Sequence, residues 1–248
     1  MASQVALNTN YTDIFTKIYG SNTTSKHADI FPKNIFMILA GSTGCGKTNL
    51  MLNFLMKGVL AYDDVMIYTT TPYQPSYQYL RDCNEQWKQR YKLSTDIVTF
   101  HNPDDKIVDP SELDKNKTHI IVFDDVMGQD QKVMTDYFTR GRHNNVNVFY
   151  LCQSLHQLKK HGIRQNANIF ILFHQDKKTV KYFYDTHISA DMSLLEFEKI
   201  CENAWSTKHG YIVINIWEKA ECGRYLINYT ELYIPEKYIK CNKMLKNT

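Results

Sequence analysis

Apolar and polar residues come in alternating blocks along this chain, and the apolar blocks predict buried strands. The main apolar runs lie at residues 35–40, 65–68, 119–123, 146–152 and 168–173, with a weaker run at 97–100. Helical patterns are predicted between them, over residues 49–56, 76–91 and 130–140. Strands that alternate with helices in this way favour an α/β fold with a mainly parallel central sheet and flanking helices.

The C-terminal part of the chain changes this order. Two helices are predicted first, over residues 176–187 and 194–205. Two apolar stretches follow at residues 209–217 and 224–229, with no helix between them. Strands joined without a crossover helix suit an antiparallel pair, which we expect at one edge of the sheet.

The polar stretches suggest how the chain is organised. Residues 1–30 are rich in Asn, Thr and Ser and predict an N-terminal extension, whereas 31–248 predict a single domain. Within it, a motif-bearing core spans about 31–175 and a C-terminal elaboration spans 176–248. After Pro235, lysines recur at every third position, at Lys237, Lys240, Lys243 and Lys246. This stripe is either a solvated helix face or a surface that grips phosphates.

The first apolar run leads directly into a glycine-rich motif, Gly41-Ser42-Thr43-Gly44-Cys45-Gly46-Lys47-Thr48. The spacing is that of a P-loop, in which glycines let backbone N–H groups wrap a phosphate and a helix N-terminus adds its own N–H groups. We expect Lys47 to reach the β- and γ-phosphates and Thr48 to ligate Mg²⁺. The expected nucleotide contacts are Gly41, Ser42, Thr43, Gly44, Cys45, Gly46, Lys47, Thr48 and Asn49. The sequence therefore predicts ATP and Mg²⁺ as ligands.

Two further apolar runs end in polar residues that suit the same chemistry. The run at 119–123 ends in Asp124-Asp125, the Walker B form, in which Asp124 would hold Mg²⁺ and Asp125 would orient or deprotonate water. Gln153 follows the run at 146–152, where a glutamine can sense the γ-phosphate or position water, or can simply be a polar strand end. Because ligands of an open α/β sheet sit at the carboxyl ends of its strands, we expect all these groups on one rim.

Three arginines show the opposite placement. Arg140 and Arg142 precede the run at 146–152, and Arg164 precedes the run at 168–173, so all three belong at the amino ends of strands. There they are poorly placed for their own nucleotide but could reach that of a neighbouring subunit. One hypothesis is therefore a ring-shaped oligomer with an arginine finger supplied in trans. The alternative is that these arginines face solvent or DNA.

Composition narrows the class of protein without naming a partner. A hydrophobic content of 43% is typical of a folded protein. A net charge of +3 is too small to indicate a nucleic-acid partner by itself. The six cysteines are scattered, and His156 and His161 are too loosely spaced for a metal site, although Lys159 and Lys160 beside them could contact DNA. No run approaches a membrane span and no signal peptide is present, so we expect an intracellular protein with reduced thiols and no membrane partner.

The motifs together resemble a known family. The P-loop, the Val122-Phe123-Asp124-Asp125 tip, the Arg140-Gly141-Arg142-His143 run and Gln153 are similar to those of viral genome-packaging ATPases of the FtsK–HerA superfamily, in the poxvirus-type branch found in large DNA viruses and virophages. The resemblance covers roughly residues 31–173. Cellular pumps of this superfamily usually carry Glu at the second acidic position, whereas this chain has Asp125, one methylene shorter.

The resemblance implies a fold, an assembly and a task. The fold would be a RecA-like P-loop NTPase of the ASCE type, with the five main strands in the order 5-1-4-3-2. The assembly would be a homo-oligomeric ring, expected to be hexameric, that hydrolyses ATP at subunit interfaces. The motor would drive double-stranded DNA, without sequence preference, into a capsid at its portal vertex. It would act in the host cytoplasm or viral factory, or in association with the virion.

Two other classes of P-loop enzyme share parts of this pattern. A nucleoside or nucleotide kinase also has an N-terminal P-loop and about this size, but it needs an arginine-rich lid that is not evident here. A DNA helicase or partition-type ATPase is closer in fold, but helicases usually need extra motifs or a second domain. ATP turnover with and without duplex DNA, measured beside the oligomeric state, separates these classes.

Overall fold

A nine-stranded sheet forms the centre of the computed structural model, which describes residues 27–102, 104–126 and 131–239. The strands are β1 Phe36–Ala40, β2 Asp64–Thr69, β3 Val98–His101, β4 His119–Asp124, β5 Val146–Cys152, β6 Ile169–Phe173, β7 Tyr211–Asn215, β8 Tyr225–Ile227 and β9 Glu231–Tyr233. Most of the predicted N-terminal extension, and all of the lysine stripe except Lys237, lie outside the described residues.

The strand order across the sheet is β3-β2-β4-β5-β1-β6-β7-β8-β9. Strands β1 to β6 pair in parallel, whereas β7, β8 and β9 are antiparallel additions next to β6. The five main strands, now β6-β1-β5-β4-β2, follow the expected order 5-1-4-3-2. The whole sheet differs in detail, because β3 extends it beyond β2 and a third antiparallel strand joins the expected pair. Strand β9 was not predicted, because its three residues are exposed or half-buried and form no apolar run.

Five α-helices flank the sheet in the described ranges: α1 Lys47–Met56, α2 Pro75–Tyr91, α3 Gln131–Arg140, α4 Lys177–Phe183 and α5 Leu194–Trp205. The α-helix predicted at 176–187 is shorter than expected, because it ends at Phe183. The chain continues as a π-helical turn at Tyr184–Ile188. None of the helices in this part of the chain is long and apolar enough to cross a membrane.

Strand β1, which leads into the P-loop, is buried on both faces. Phe36, Ile38 and Ala40 pack in the core under α3, whereas Met37 and Leu39 pack in the core under α1 and α2. A strand covered by helices on both sides reads as a continuous apolar run, which is why its sequence shows no alternation. Both cores therefore fix the position of the loop that follows Ala40.

Two buried asparagines hold the start of β1. The side-chain oxygen of Asn147 accepts from the backbone N–H of Ile35 at 2.9 Å, and that of Asn168 accepts from the N–H of Phe36 at 2.8 Å. The Asn168 amide also donates to the carbonyl oxygen of Asn34 at 2.6 Å. These bonds satisfy backbone groups that would otherwise be buried unpaired, and they set the register of β1 between β5 and β6.

Candidate functional site

The glycine-rich loop lies between β1 and α1 and uses its glycines for distinct reasons. Gly44 and Gly46 have φ values of 77° and 114°, a region that side chains rarely adopt. Gly41 instead lacks room, because an added Cβ would lie 2.7 Å from Cβ of Phe173 and 2.8 Å from Sγ of Cys45. The loop therefore turns tightly enough for helix α1 to begin at Lys47 with its free N–H groups facing the loop.

The side chain of Lys47 folds back over this loop. Its ammonium group donates to the carbonyl oxygen of Gly41 at 2.6 Å and to that of Ser42 at 3.0 Å. These contacts hold a positive charge at the mouth of the loop, next to the N-terminus of α1. Both features attract an anion such as a phosphate group.

The first acidic residue of the Walker B motif lies beside the P-loop threonine. Asp124 ends β4, and its Oδ2 atom is 3.5 Å from the Thr48 hydroxyl oxygen. Its carboxyl group is almost fully buried, and this burial raises its pKa, while hydrogen bonds from Tyr77 and Gln74 and the charge of Lys47 act in the opposite direction. A hydroxyl and a carboxylate are hard oxygen donors, so this pair suits Mg²⁺ in the presence of nucleotide phosphates.

The second acidic residue and the glutamine face each other across two neighbouring strands. The Gln153 amide lies 3.5 Å from Oδ1 of Asp125, and both side chains are exposed. Asp125 has a φ of 55°, a left-handed conformation that is uncommon for a residue other than glycine. Its backbone N–H donates to the carbonyl oxygen of Leu151 at 3.3 Å, which keeps this turn against β5. The conformation brings the Asp125 carboxylate towards Gln153 at the sheet rim.

An open cleft of about 400 Å³ connects these groups. Lys47, Thr48, Asp124, Asp125 and Gln153 all line it, so the structure brings the predicted phosphate, metal and water residues to one edge of the sheet. Thr43, Gly44, Gly46 and Asn49 also line it. Gly41, Ser42 and Cys45 do not, among the described residues, and contact the loop and its surroundings instead.

The three arginines do not reach this cleft. Arg140 forms an ion pair with Asp136 on its own helix at 2.8 Å, and the Arg164 guanidinium donates to the Tyr182 hydroxyl at 2.5 Å. Arg142 is exposed in the short turn at 141–144 that precedes β5. Since β5 ends at the cleft and spans about 20 Å, Arg142 lies at the far end of the strand from the nucleotide residues.

Some side chains that contact the site residues were not predicted from the sequence. Tyr77 and Gln74 both hydrogen-bond to Asp124, and His209 hydrogen-bonds to the Cys45 backbone. Tyr77 occupies an apolar position in a helix, and His209 lies in a turn far along the chain. Neither position carries a motif, so no sequence signal distinguished them from ordinary core and loop residues.

The fold and this loop are those of the P-loop NTPases. Residues 24–220 match the family model of the poxvirus A32 protein. This match extends over most of the chain, and the protein therefore belongs to the poxvirus A32 family.

Two viral DNA packaging proteins are similar to this chain in sequence. The DNA packaging protein OPG160 of Variola virus is 28% identical over 145 residues, which is 55% of this chain and 52% of that protein. The Monkeypox virus protein of the same name is also 28% identical over 145 residues, which is 47% of its length. This chain thus spans about half the length of the curated relatives it matches.

The similar solved structures include the genome packaging NTPase B204 from Sulfolobus turreted icosahedral virus 2. In complex with sulfate it has a TM-score of 0.55 and 12% identity, covering 79% of this chain and 96% of that one. In complex with ATP-gammaS it has a TM-score of 0.50 and 12% identity, with coverages of 79% and 97%. At this identity the likeness establishes the shared fold.

Proposed function

We propose that this protein is an ATPase that drives double-stranded DNA into a viral capsid. The observation that carries the proposal is the convergence of Lys47, Thr48, Asp124 and Asp125 on one open cleft at the sheet rim. Membership of a family whose relatives are named DNA packaging proteins supports the choice of DNA as the moved substrate.

ATP would bind with its phosphates in the loop that precedes α1. The backbone N–H groups of the loop and of the first turn of α1 donate to the phosphate oxygens, and Lys47 exchanges its bonds to Gly41 and Ser42 for bonds to the β- and γ-phosphates. Thr48 and Asp124 would hold Mg²⁺, which neutralises charge that develops on the phosphate oxygens. Asp125 accepts a proton from the attacking water, and Gln153 orients that water beside it.

DNA contacts would come from a basic part of the chain. Residues 137–175 contain no Asp or Glu, and Lys159 and Lys160 within them are exposed. Neither lysine ammonium group pairs with a carboxylate among the residues that the structure describes. Contacts from such groups to phosphates carry no base information, which suits a motor that must move along any duplex.

The position of the arginines supports the proposed ring. Arg142 projects from the amino end of β5, opposite the cleft, so it would serve the nucleotide of a neighbouring copy rather than its own. We propose a homo-oligomeric ring, hexameric by resemblance, which would act at the capsid portal within the infected cell or the virion.

ATP turnover measured with and without duplex DNA tests the proposal. We expect phosphate release that DNA stimulates and that falls steeply as salt rises. Lys47→Ala should lower turnover by about 100-fold or more, whereas Lys33→Ala, at an exposed lysine before β1, should not. A monomer that transfers phosphate to a nucleoside and ignores DNA would instead identify a kinase and refute the proposal.

A further inference from the structure

The start of helix α2 contacts two parts of the candidate nucleotide site, the Walker B aspartate and the first turn of helix α1. Tyr77 donates its hydroxyl proton to Oδ2 of Asp124 at 2.5 Å, and the Gln74 amide lies 3.4 Å from the same oxygen. Ser76 donates to the side-chain oxygen of Asn49, which follows the P-loop threonine, at 3.0 Å. One helical turn thus connects the Walker B aspartate with the start of α1.

The Tyr77 side chain is held firmly in place. It is fully buried, and its ring packs edge-on against Phe100, with ring centroids 5.3 Å apart. The Arg81 guanidinium in turn lies over the Phe100 ring, 3.8 Å from its centroid. The Tyr77 hydroxyl group therefore has a fixed position relative to the sheet. Its hydrogen bond orients the carboxylate of Asp124.

The contacts on Asp124 are unequal between its two oxygens. Tyr77, Gln74 and Thr48 all approach Oδ2, at 2.5, 3.4 and 3.5 Å respectively. A carboxylate held in this way cannot rotate freely about its Cβ–Cγ bond. Partners that orient metal-binding side chains commonly affect metal affinity about 10- to 100-fold, because they remove the cost of ordering the ligand when the metal binds.

We propose that Tyr77 is a positioning residue for the Mg²⁺-binding pair of the nucleotide site, Thr48 and Asp124. It acts through the carboxylate of Asp124. The inference rests on the proposed function, since it requires that this cleft binds a nucleotide with Mg²⁺. Gln74 provides a second, weaker hold on the same oxygen. Helix α2 is then a third element of the site, alongside the P-loop and the end of β4.

A purely structural role predicts something different. In that case Asp124 would merely satisfy the buried Tyr77 hydroxyl. Loss of the hydroxyl would then lower the stability of the fold without changing the affinity for Mg²⁺. The chain contains a matched pair for comparison, because the buried Tyr225 donates to Oδ2 of the buried Asp191 at 2.6 Å. That pair lies outside the residues that line the cleft.

The test compares Tyr77→Phe with Tyr225→Phe, each of which removes one hydroxyl from a tyrosine–aspartate pair. Affinity for a non-hydrolysable ATP analogue is measured by fluorescence in Mg²⁺ and in EDTA, and Mn²⁺ affinity of the protein–analogue complex is measured by electron paramagnetic resonance. Gln74→Ala is included because Gln74 is only half-buried and its loss should leave the fold intact. Thermal unfolding checks each variant.

We expect Tyr77→Phe to weaken Mn²⁺ binding and analogue binding in Mg²⁺ by about tenfold, with analogue binding in EDTA unchanged. Gln74→Ala should show a smaller loss of the same kind, and Tyr225→Phe should match the wild type in both media. Equal losses in Mg²⁺ and EDTA, or wild-type Mn²⁺ affinity in both Tyr77→Phe and Gln74→Ala, would overturn the proposal. A wild-type protein that binds no nucleotide would refute the proposed function itself.

Discussion

The imidazole Nδ1 of His209 lies 3.0 Å from the carbonyl oxygen of Cys45, in the middle of the P-loop. A carbonyl oxygen only accepts, so Nδ1 carries the proton of this hydrogen bond. His209 precedes β7 and has a φ of 63°, a left-handed conformation. The antiparallel extension of the sheet therefore reaches across β6 and restrains the loop that would hold the phosphates.

Replacing His209 with Ala should weaken nucleotide binding to the same extent in Mg²⁺ and in EDTA. The bond to Cys45 restrains backbone rather than a metal ligand, and a hydrogen bond of this kind contributes about 1 kcal/mol, or roughly fivefold in affinity. Equilibrium binding of a fluorescent ATP analogue measures the effect. His143→Ala, at an exposed histidine before β5, is the control, and a loss confined to Mg²⁺ would contradict this account.

A buried histidine at the opposite end of the sheet should make stability depend on pH. His119 lies between Oδ1 of Asp64 at 2.7 Å and the carbonyl oxygen of Asp114 at 2.8 Å. Burial alone would lower the pKa of His119, but these two acceptors outweigh it and raise the pKa. Both ring nitrogens must donate to satisfy both partners, so the arrangement favours the charged imidazolium.

The sign of the pH effect follows from the raised pKa. The stabilisation by His119 is fully present below the unfolded pKa of about 6.5 and is lost as pH rises through the folded value. Urea unfolding should show that His119→Gln costs about 1–2 kcal/mol more at pH 6 than at pH 9. His143→Gln should show no such difference, and a cost for His119→Gln that is constant with pH would exclude a charged His119.

The exposed Arg142 is the arginine best suited to act on a neighbouring subunit. Arg140 and Arg164 are held by Asp136 and Tyr182, whereas Arg142 makes no hydrogen bond or ion pair with the described residues. In the proposed ring, Arg142→Ala should lower ATP turnover by about 10³-fold or more with little change in nucleotide affinity. Arg140→Ala and Arg164→Ala should have smaller effects.

Mixed assemblies test whether Arg142 acts in trans. Combining Arg142→Ala subunits with Lys47→Ala subunits should restore part of the lost turnover, because an intact P-loop can then face an intact Arg142. Combining Arg142→Ala with an Arg142→Ala, Lys47→Ala double variant should not. If Arg142→Ala alone turns over ATP at the wild-type rate, Arg142 is a surface residue.

Much of the fold could be predicted because its strands are buried on both faces. Such strands appear as continuous apolar runs, and β1, β4 and β5 could be recognised with boundaries within one or two residues. The P-loop, Asp124, Asp125 and Gln153 could be placed on one rim because parallel strands all end on the same side. The strand order came from the family resemblance.

Other features had no sequence signal because they depend on tertiary contacts. Tyr77 and His209 meet the site only after α2 and β7 have packed on the sheet, and the distance along the chain from His209 to Cys45 is large. Asn147 and Asn168 look like polar interruptions in apolar runs, yet they hold the start of β1. The motifs identified the residues expected to bind the nucleotide, whereas the residues that orient them could be identified only from the structure.

The basic connection between β5 and β6 should contribute to DNA binding through Lys159 and Lys160. Its course is fixed at Gly162, which has a φ of 105° and where a Cβ would lie 2.3 Å from Cγ2 of Thr135 on helix α3. Removing both lysines should weaken duplex binding and lower the slope of log affinity against log salt by about 2, since each phosphate contact contributes about 1. ATP turnover without DNA should stay the same. The exposed pair Lys115 and Lys117, on the loop before β4, is a matched control, and equal salt slopes for both double alanine variants would place the DNA on another surface.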